Sequence, residues 1–332
     1  MTDKHKVGLT LGKFAPFHKG HQFLIETAIS EVDELIVLIY DDPVLNIPLA
    51  TRAGWIREIY PEILVIEGVN SPNDTGYTAE IMKIQEDYVL SILGNRTISH
   101  FYSSEPYGEH MSIALKALNR QVDVSRNTIP VSATKIRENP YQYKDFVHPK
   151  VYKDLITKVV LLGAPSTGKT TLTEQLAVHF NTQWMPEYGR EYWEKHQINK
   201  RLTLEDLLKI AEIHIGKEDA LVLQSNSFLF SDTNAITTYL FSLDYHGSTL
   251  PELENLAKAA ESRHDIIFVC DTDIPYDDTW DRSGEVKREV FQKIIIEDLK
   301  ARNLKYHMLK GTVAERIEQV SKVLSAAENS KF

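Results

Sequence analysis

Unbroken apolar runs alternate along this chain with stretches whose apolar positions recur every three to four residues. In the front half the runs fall at 7–11, 35–40, 63–66, 98–102 and 122–124, and helical spacing covers 18–30, 51–60, 78–93 and 110–118. The run at 35–40 is apolar throughout, which suits a parallel strand covered on both faces. Strands alternating with helices across short connections predict a doubly wound parallel sheet. Ligands of such sheets sit beyond the carboxyl ends of the strands, and the turn-rich segment 12–21 falls at such an end.

The alternation restarts at Val159-Val160-Leu161-Leu162, with helical spacing over 172–180, a short strand at 182–185 and a long amphipathic segment at 204–224. Strands at 227–233, 265–270 and 305–309 follow. Thr312 with Glu315 resembles a capping box opening a last helix, which has no obvious chemical role. The chain of 332 residues is too long for one ordinary core. Two prolines and several aromatics between Asn139 and Pro149 predict a packed connection, with Pro140 ending the helix that begins near Thr134. The boundary is placed between 145 and 157, giving domains 1–150 and 151–332. The expected class is therefore α/β, with two doubly wound parallel-sheet domains.

Composition narrows the function. A formal charge of −10 argues against a sequence-independent nucleic-acid surface, which needs a basic face. One cysteine, Cys270, permits no disulfide framework and agrees with a reducing cytosol. No apolar run approaches the length that spans a bilayer, and no signal-peptide pattern follows Met1. The expectation is a cytoplasmic protein with small-molecule ligands and no membrane or nucleic-acid partner. A homo-oligomer is compatible with all of this.

The sharpest chemistry is Gly163-Ala164-Pro165-Ser166-Thr167-Gly168-Lys169-Thr170, between a strand and a helix. This is the P-loop pattern: glycines let backbone N–H groups converge on phosphate oxygens, and the helix N-terminus adds partial positive charge. Lys169 is expected at the β- and γ-phosphates of ATP and the Thr170 hydroxyl on Mg²⁺, with Thr171 beside them. Asp232 closes an apolar strand, as the acid of a Walker B strand does, and suits a Mg²⁺-organising role or orientation of an attacking hydroxyl. Its alternative is the N-cap of a helix over 234–243, and the two roles can coexist. Residues 271–281 hold five aspartates with Tyr276 and Trp280, followed by Arg282, Lys287 and Arg288. Such a segment suits either a solvated loop or a kinase lid whose arginines close over the transferred phosphoryl.

His18-Lys19-Gly20-His21 places two imidazoles on one face of a helix N-terminus, where their N–H groups can donate to phosphate and Gly20 lets a nucleotide approach. Metal binding is the competing idea, but no Cys or carboxylate stands at ligand spacing. Ser132 and Thr134 open a second short helix with Lys135 and Arg137, chemistry suited to a triphosphate.

Gly12-Lys13-Phe14-x-Pro16-x-His18-x-Gly20-His21 resembles the first signature of the His-x-Gly-His nucleotidyltransferases, and Ser132-x-Thr134-Lys135-Ile136-Arg137 resembles the second. The likeness implies attack of an acceptor phosphate on the α-phosphorus of ATP, with pyrophosphate leaving and no covalent intermediate. His18 and His21 would hold the triphosphate and the transition-state oxygens, while Lys13, Lys135 and Arg137 neutralise the phosphoryl groups. Gly12, Phe14, Gly20, Ser132 and Thr134 would line the nucleotide. Fused ahead of a P-loop kinase, this front half resembles the NadR family, which joins nicotinamide-mononucleotide adenylyltransferase to ribosylnicotinamide kinase. Ser103-Ser104-Glu105-Pro106, Glu187-Tyr188-Gly189-Arg190-Glu191, Ser231-Asp232-Thr233 and the Asp277-Asp278…Arg282-Ser283 segment carry the likeness further.

That resemblance implies phosphorylation of nicotinamide riboside by the back half and adenylylation of the mononucleotide (NMN) to NAD by the front. Asp232 would be base or metal organiser, Glu187 its alternate, and Tyr188, Arg190, Tyr276, Asp278, Trp280 and Arg282 would meet the substrate. Some members carry an N-terminal helix-turn-helix domain; this sequence opens at the first catalytic strand, so no DNA binding is expected. Coenzyme A synthesis, which also fuses such an adenylyltransferase to a P-loop kinase, is the competing enzyme. The Glu-Tyr-Gly-Arg and Ser-Ser-Glu-Pro segments favour the nicotinamide reading. A nucleotide sensor that only binds is the competing class, and intact Lys169, Thr170, His18 and His21 argue against it.

Overall fold

The computed structural model describes residues 5–42, 47–72, 76–105, 108–197, 202–276 and 285–331, except the side chains of 285–286 and 327–331. Asp278, Trp280 and Arg282, with Pro106 and most of the expected lid, lie outside the described residues. The chain divides into two compact units, Met1–Tyr152 with Ala327–Phe332, and Lys153–Ala326. Among the described residues no helix is long and apolar enough to cross a membrane.

The first unit runs β1 (Val7–Gly12), α1 (Lys19–Glu31), β2 (Glu34–Tyr40), α2 (Leu49–Ile59), β3 (Leu64–Gly68), α3 (Ala79–Leu93), β4 (His100–Ser103), α4 (Gly108–Leu115), β5 (Leu118–Gln121) and α5 (Ala133–Glu138). The five strands form one parallel sheet in the order β3-β2-β1-β4-β5. Leu9, Ile36, Leu38 and Phe101 are fully buried, as expected of strands covered on both faces. The order reverses at β1, so the crevice beyond β1 and β4 is the topological switch point, where the loops after Gly12 and Ser103 emerge.

Helix α6 (Pro149–Leu155) contains the division between the units. The second unit then runs β6 (Thr157–Leu162), α7 (Lys169–His179), β7 (Gln183–Met185), α8 (Tyr188–His196), α9 (Leu204–Val222), β8 (Phe228–Asp232), α10 (Ala235–His246), α11 (Pro251–Ala259), β9 (Ile266–Cys270), α12 (Glu285–Ala301), β10 (His307–Leu309) and α13 (Val313–Lys331). Its sheet is also parallel, in the order β10-β9-β6-β8-β7. Strand β6 is central, with Val159 and Leu161 packed on one face against Leu172, Leu176 and Phe230. Each fully buried leucine of α7 contributes roughly 2–3 kcal/mol, which seats the helix and therefore the loop before it.

Three expectations need correction. The fifth strand forms at 118–121, not 122–124: Leu118-Asn119-Arg120-Gln121 is an exposed edge strand without an apolar run to announce it. Helices α6, α8 and α11 were not foreseen. Helix α8 starts after Glu187, whose side chain makes no capping bond, and carries Gly189, so local signals are weak. Finally, Asn234 and not Asp232 caps α10, its side chain accepting from Ile236 N at 3.0 Å. The Asp232 carboxylate is left for other work.

Candidate active sites

In the first unit the loop after β1 delivers His18 to the N-cap of α1. His18 has extended backbone (φ −133°, ψ 169°), and its Nδ1 accepts the Gly20 N–H at 3.1 Å. In return His21 Nδ1 accepts the His18 N–H at 3.3 Å, completing a capping box made of two imidazoles. A backbone N–H can only donate, so Nδ1 of each ring is the acceptor and Nε2 carries the proton in the neutral form. The cap thus sets the tautomer and leaves two Nε2–H donors side by side.

The rings stack, with centroids 3.7 Å apart and planes 20° from parallel, and His21 also lies against Phe17 and Phe14. Burial, followed by the Arg126 charge, lowers the His18 pKa to about 3. Burial, His18 and Arg126 hold His21 well below its usual value. Both rings are neutral donors at physiological pH. Phe14, expected at the nucleotide, is 4% exposed and backs His21 instead. Gly20 has a reason beyond ligand approach: a Cβ there would lie 3.0 Å from the His18 ring, so the capping imidazole would have to shift by a few tenths of an ångström.

Lys13 pairs with Asp42, and its backbone carbonyl accepts from Arg52, a missed residue that is 1% exposed and also donates to Ile47 O at 2.9 Å and Tyr40 O at 3.2 Å. Ser132 caps α5 by accepting the Lys135 N–H at 3.3 Å. Arg137 reaches back to Ala15 O at 2.5 Å and to Thr134 Oγ1 at 3.3 Å, so the second signature is docked on the first. Thr134 and Lys135 are exposed. Arg126 was also missed. It sits on the loop whose Ile129 packs beside Gly20, and it pairs with Glu105 at 3.6 Å. Neither Arg52 nor Arg126 has a local sequence signature.

In the second unit the loop of residues 163–168 has Gly163, Ser166 and Gly168 at φ of 142°, 63° and 77°. Lys169 Nζ donates to Ala164 O at 2.9 Å, folded over its own loop, and the Thr167 hydroxyl donates to the same carbonyl at 2.8 Å. Register places Asp232 beside Leu161 on the neighbouring strand, which brings its carboxylate to the start of α7. There Thr170 Oγ1 donates to Asp232 Oδ2 at 2.6 Å, while Oδ1 is buried without a hydrogen-bond partner. Burial and then the Glu187 charge raise the Asp232 pKa to about 6, against the opposing pull of Lys169 and the Thr170 bond. No group of three or more His, Cys, Asp or Glu side chains stands ready to enclose a metal among the described residues. The Thr170–Asp232 pair is a smaller, all-oxygen donor set.

A cavity of about 800 Å³ opens from this loop. Its walls include Glu187 and Arg190, His214, Thr237, Tyr276 and an aromatic group, Trp193, Phe241, Tyr245 and Phe291. Phe241 and Phe291 stack at 4.6 Å. Tyr276 lies 5.5 Å from the Arg288 guanidinium. Tyr188 is not in this wall; it lines a smaller cavity that shares Thr170, Glu187 and Arg190, with Lys217 Nζ 4.1 Å from its ring centroid. Arg316 on α13, a helix whose sequence shows no obvious chemical role, donates from Nη1 to Thr167 O at 2.7 Å.

These features define a chain with a nucleotidyltransferase-type domain followed by a P-loop kinase-type domain. Residues 9–139 match the cytidylyltransferase-like family model and residues 158–316 an AAA domain model. The trifunctional NAD biosynthesis/regulator protein NadR of Salmonella typhimurium is 30% identical over 92% of this chain and 78% of its own length. The Escherichia coli protein of that name is 28% identical over 91% and 78%. A crystal structure of a NadR protein in complex with NR superposes with a TM-score of 0.59 at 25% identity, covering 97% of this chain and 96% of that one. The chain belongs to the NadR family.

Proposed function

We infer that this chain is a bifunctional enzyme of NAD biosynthesis, with nicotinamide-mononucleotide adenylyltransferase activity in the first unit and ribosylnicotinamide kinase activity in the second. ATP is the co-substrate of both. The observation that carries this reading is the presence, in one chain, of two neutral imidazoles locked as Nε2–H donors and a P-loop facing a buried carboxylate.

In the adenylyl transfer a phosphate oxygen of NMN attacks the α-phosphorus of ATP, the bond from that phosphorus to the bridging oxygen breaks, and pyrophosphate leaves. His18 and His21 donate from Nε2 to the non-bridging oxygens where charge builds, without exchanging a proton. Lys13, Lys135 and Arg137 supply positive charge to the triphosphate. One of the five guanidinium donors of Arg137 holds the loop at Ala15 O and a second stays on its own helix at Thr134 Oγ1, and the others suit the departing pyrophosphate. Catalysis is placement and charge stabilisation, which fits the absence of any demand here for a general base.

In the kinase the riboside 5′-hydroxyl attacks the γ-phosphorus of ATP, and ADP leaves. Asp232, with Glu187 as the alternate, takes the hydroxyl proton. Lys169 swings from Ala164 O to the phosphates, and the N–H groups of 166–170 receive their oxygens. The unpartnered Asp232 Oδ1 and the Thr170 hydroxyl fit Mg²⁺, which binds through one or two protein oxygens and keeps waters and phosphate oxygens for the rest. When bound it would neutralise the β- and γ-phosphates. The aromatic walls of the 800 Å³ cavity suit a flat base such as nicotinamide, so the ring reader is not confined to Tyr276 or Trp280. The charge of −10 supports small-molecule ligands, and the lone buried Cys270 supports a cytoplasmic setting.

The test is to supply ATP and Mg²⁺ with nicotinamide riboside, with NMN, or with phosphopantetheine. The riboside should give NMN and NMN should give NAD with pyrophosphate; turnover of phosphopantetheine alone refutes the assignment. Lys169→Ala should abolish riboside phosphorylation and leave adenylylation of supplied NMN near its original rate. Loss of both activities in a folded variant refutes two separate sites.

A further inference from the structure

Every N–H of a phosphate-binding loop that faces the ligand leaves a carbonyl facing away, and that carbonyl needs a partner. In the loop of residues 163–168 the Ala164 carbonyl is met locally by Thr167 and Lys169, whereas the Ser166 and Thr167 carbonyls, and the Ala164 N–H, find their partners at the far end of the chain. Gln292 Oε1 accepts the Ala164 N–H at 2.8 Å and its Nε2 donates to Cys270 O at 3.0 Å. Arg288 Nη1 reaches Ser166 O at 3.4 Å. Arg316 makes the more extensive set. Its Nη1 donates to Thr167 O at 2.7 Å, Nε to Gly311 O at 3.0 Å, and Nη2 to Asp271 O at 3.3 Å and Asp273 Oδ1 at 2.5 Å. Asp273 Oδ2 in turn accepts the Gly311 N–H at 2.6 Å. One guanidinium, 2% exposed, joins the loops beyond β6, β9 and β10.

The peptide bond is planar and trans, so C=O and N–H of one peptide point in opposite directions. Holding Thr167 C=O outward therefore holds Gly168 N–H inward, at the N-terminus of α7 where the phosphates are received. Gly168 has φ 77°, a conformation open to either peptide orientation in a glycine, so the loop's own sequence does not fix it. Arg316 is absent from the wall of the large cavity and acts on the loop, not on the ligand.

We propose that Arg316 is a positioning residue of the kinase, which presets the Gly168 N–H for the phosphate donor and locks the three strand-end loops through Asp273. A lysine cannot reproduce this. Its single ammonium has no planar fork to meet carbonyls of three loops and a carboxylate together. The inference rests on the P-loop kinase assignment but not on which acceptor is phosphorylated.

The test compares Arg316→Met and Arg316→Lys with the parent chain in riboside phosphorylation and in adenylylation of NMN. Arg316→Met should raise the KM for ATP in the kinase by about tenfold or more, leave the KM for the riboside within about twofold, and leave adenylylation unchanged. Arg316→Lys should fall between. An unchanged KM for ATP, or an equal rise for both substrates, overturns the proposal. Hydrogen exchange over 163–172 with ADP and Mg²⁺ reads the same effect without any acceptor. ADP should protect this segment in the parent chain and protect it less in Arg316→Met at equal concentration; equal protection overturns the proposal. If the parent chain phosphorylates no riboside, the functional assignment fails while this exchange test still decides the role of Arg316. If Arg316→Met does not fold, Asp273→Asn, which keeps an acceptor for Gly311 N–H but removes the charge facing Arg316, should raise the ATP KM in the same selective way. A parent-like KM there is equally adverse.

Discussion

His18 performs two tasks that substitution can separate. Its Nδ1 caps α1 and its Nε2 is the candidate transition-state donor. His18→Ala removes both. Loss of the cap should cost about 1 kcal/mol, and loss of one preorganised donor about 10²–10³ in rate. His18→Asn restores a side-chain oxygen of the kind preferred at N-caps but places no donor where Nε2–H stands. The alanine variant should therefore unfold about 2–4 °C lower, as expected for about 1 kcal/mol in a domain of roughly 150 residues. The asparagine variant should keep its melting temperature and still lose adenylylation. Proton linkage gives a second readout. With its pKa lowered to about 3, folded His18 refuses the proton that the unfolded chain accepts below 6.5. Its contribution is whole above pH 6.5 and is lost as the pH falls toward 3, by about 1.4 kcal/mol for each pH unit. His18→Asn should flatten the fall in stability of the first unit between pH 6.5 and 4.5, measured by urea unfolding at each pH. NAD formation by the parent chain should show no acid limb near 6.5 that belongs to His18. An asparagine variant that retains adenylylation, or a parent limb near 6.5 that this variant abolishes, would refute the neutral-donor reasoning.

Gly20→Ala, whose Cβ would press on His18 at 3.0 Å, should lower adenylylation by about tenfold or more while riboside phosphorylation is unchanged, assayed on the same preparation. Asp232→Asn keeps an acceptor for Thr170 but not the charge; riboside phosphorylation should drop by at least about 10², with NAD formation from NMN as the internal control. Glu218, 1% exposed, accepts from Ser231, Arg263 and His264. Burial would raise its pKa, but the His264 and Arg263 charges and the Ser231 bond more than offset that and hold it well below the usual carboxylate range. Its stabilisation is present above the usual carboxylate pKa and is lost on acidification. Glu218→Ala should destabilise the second unit by about 1–3 kcal/mol in urea unfolding at pH 7, because His264 and Ser231 lose their partner while Arg263 keeps Asp219 at 3.0 Å.

The parts legible in the sequence are those whose signal is local. The His-x-Gly-His turn, the Ser132–Arg137 helix and the loop of residues 163–170 each place their chemistry within ten residues. Around the first and the third, flanking apolar runs also show that a strand feeds a helix. The edge strand β5 escaped because Leu118-Asn119-Arg120-Gln121 is exposed on all four positions, so burial left no pattern to read. Phe14, placed at the nucleotide by resemblance, is buried edge-on to His21 with φ 48°, a packing role that the motif alone does not disclose. The cavity walls at Trp193, Phe241 and Tyr245 sit on α8 and α10, where aromatic residues at helical spacing look like ordinary core.

The contacts of arginines with loop carbonyls were hidden by one physical cause in both units. Arg52 and Arg137 donate to the carbonyls of Lys13 and Ala15 in the loop that carries His18; Arg288 and Arg316 donate to those of Ser166 and Thr167 in the loop that precedes Lys169. A carbonyl has no side-chain identity, so its partner leaves no complementary residue in the sequence to pair with. Arg316 in a helix reads as a solvent-facing charge, and its neighbour Glu315 does make the expected capping contact with Thr312. Yet a phosphate loop that bends every N–H to one side must turn its carbonyls to the other, in an interior where an unmet carbonyl costs about 1–3 kcal/mol. Arginine meets that demand better than lysine because a rigid fork satisfies several carbonyls from one buried stem. Two unrelated loops in one chain, both assigned to phosphate under the proposed function, are thus held by the same kind of donor, so substitutions far in sequence from either motif are expected to change KM for ATP.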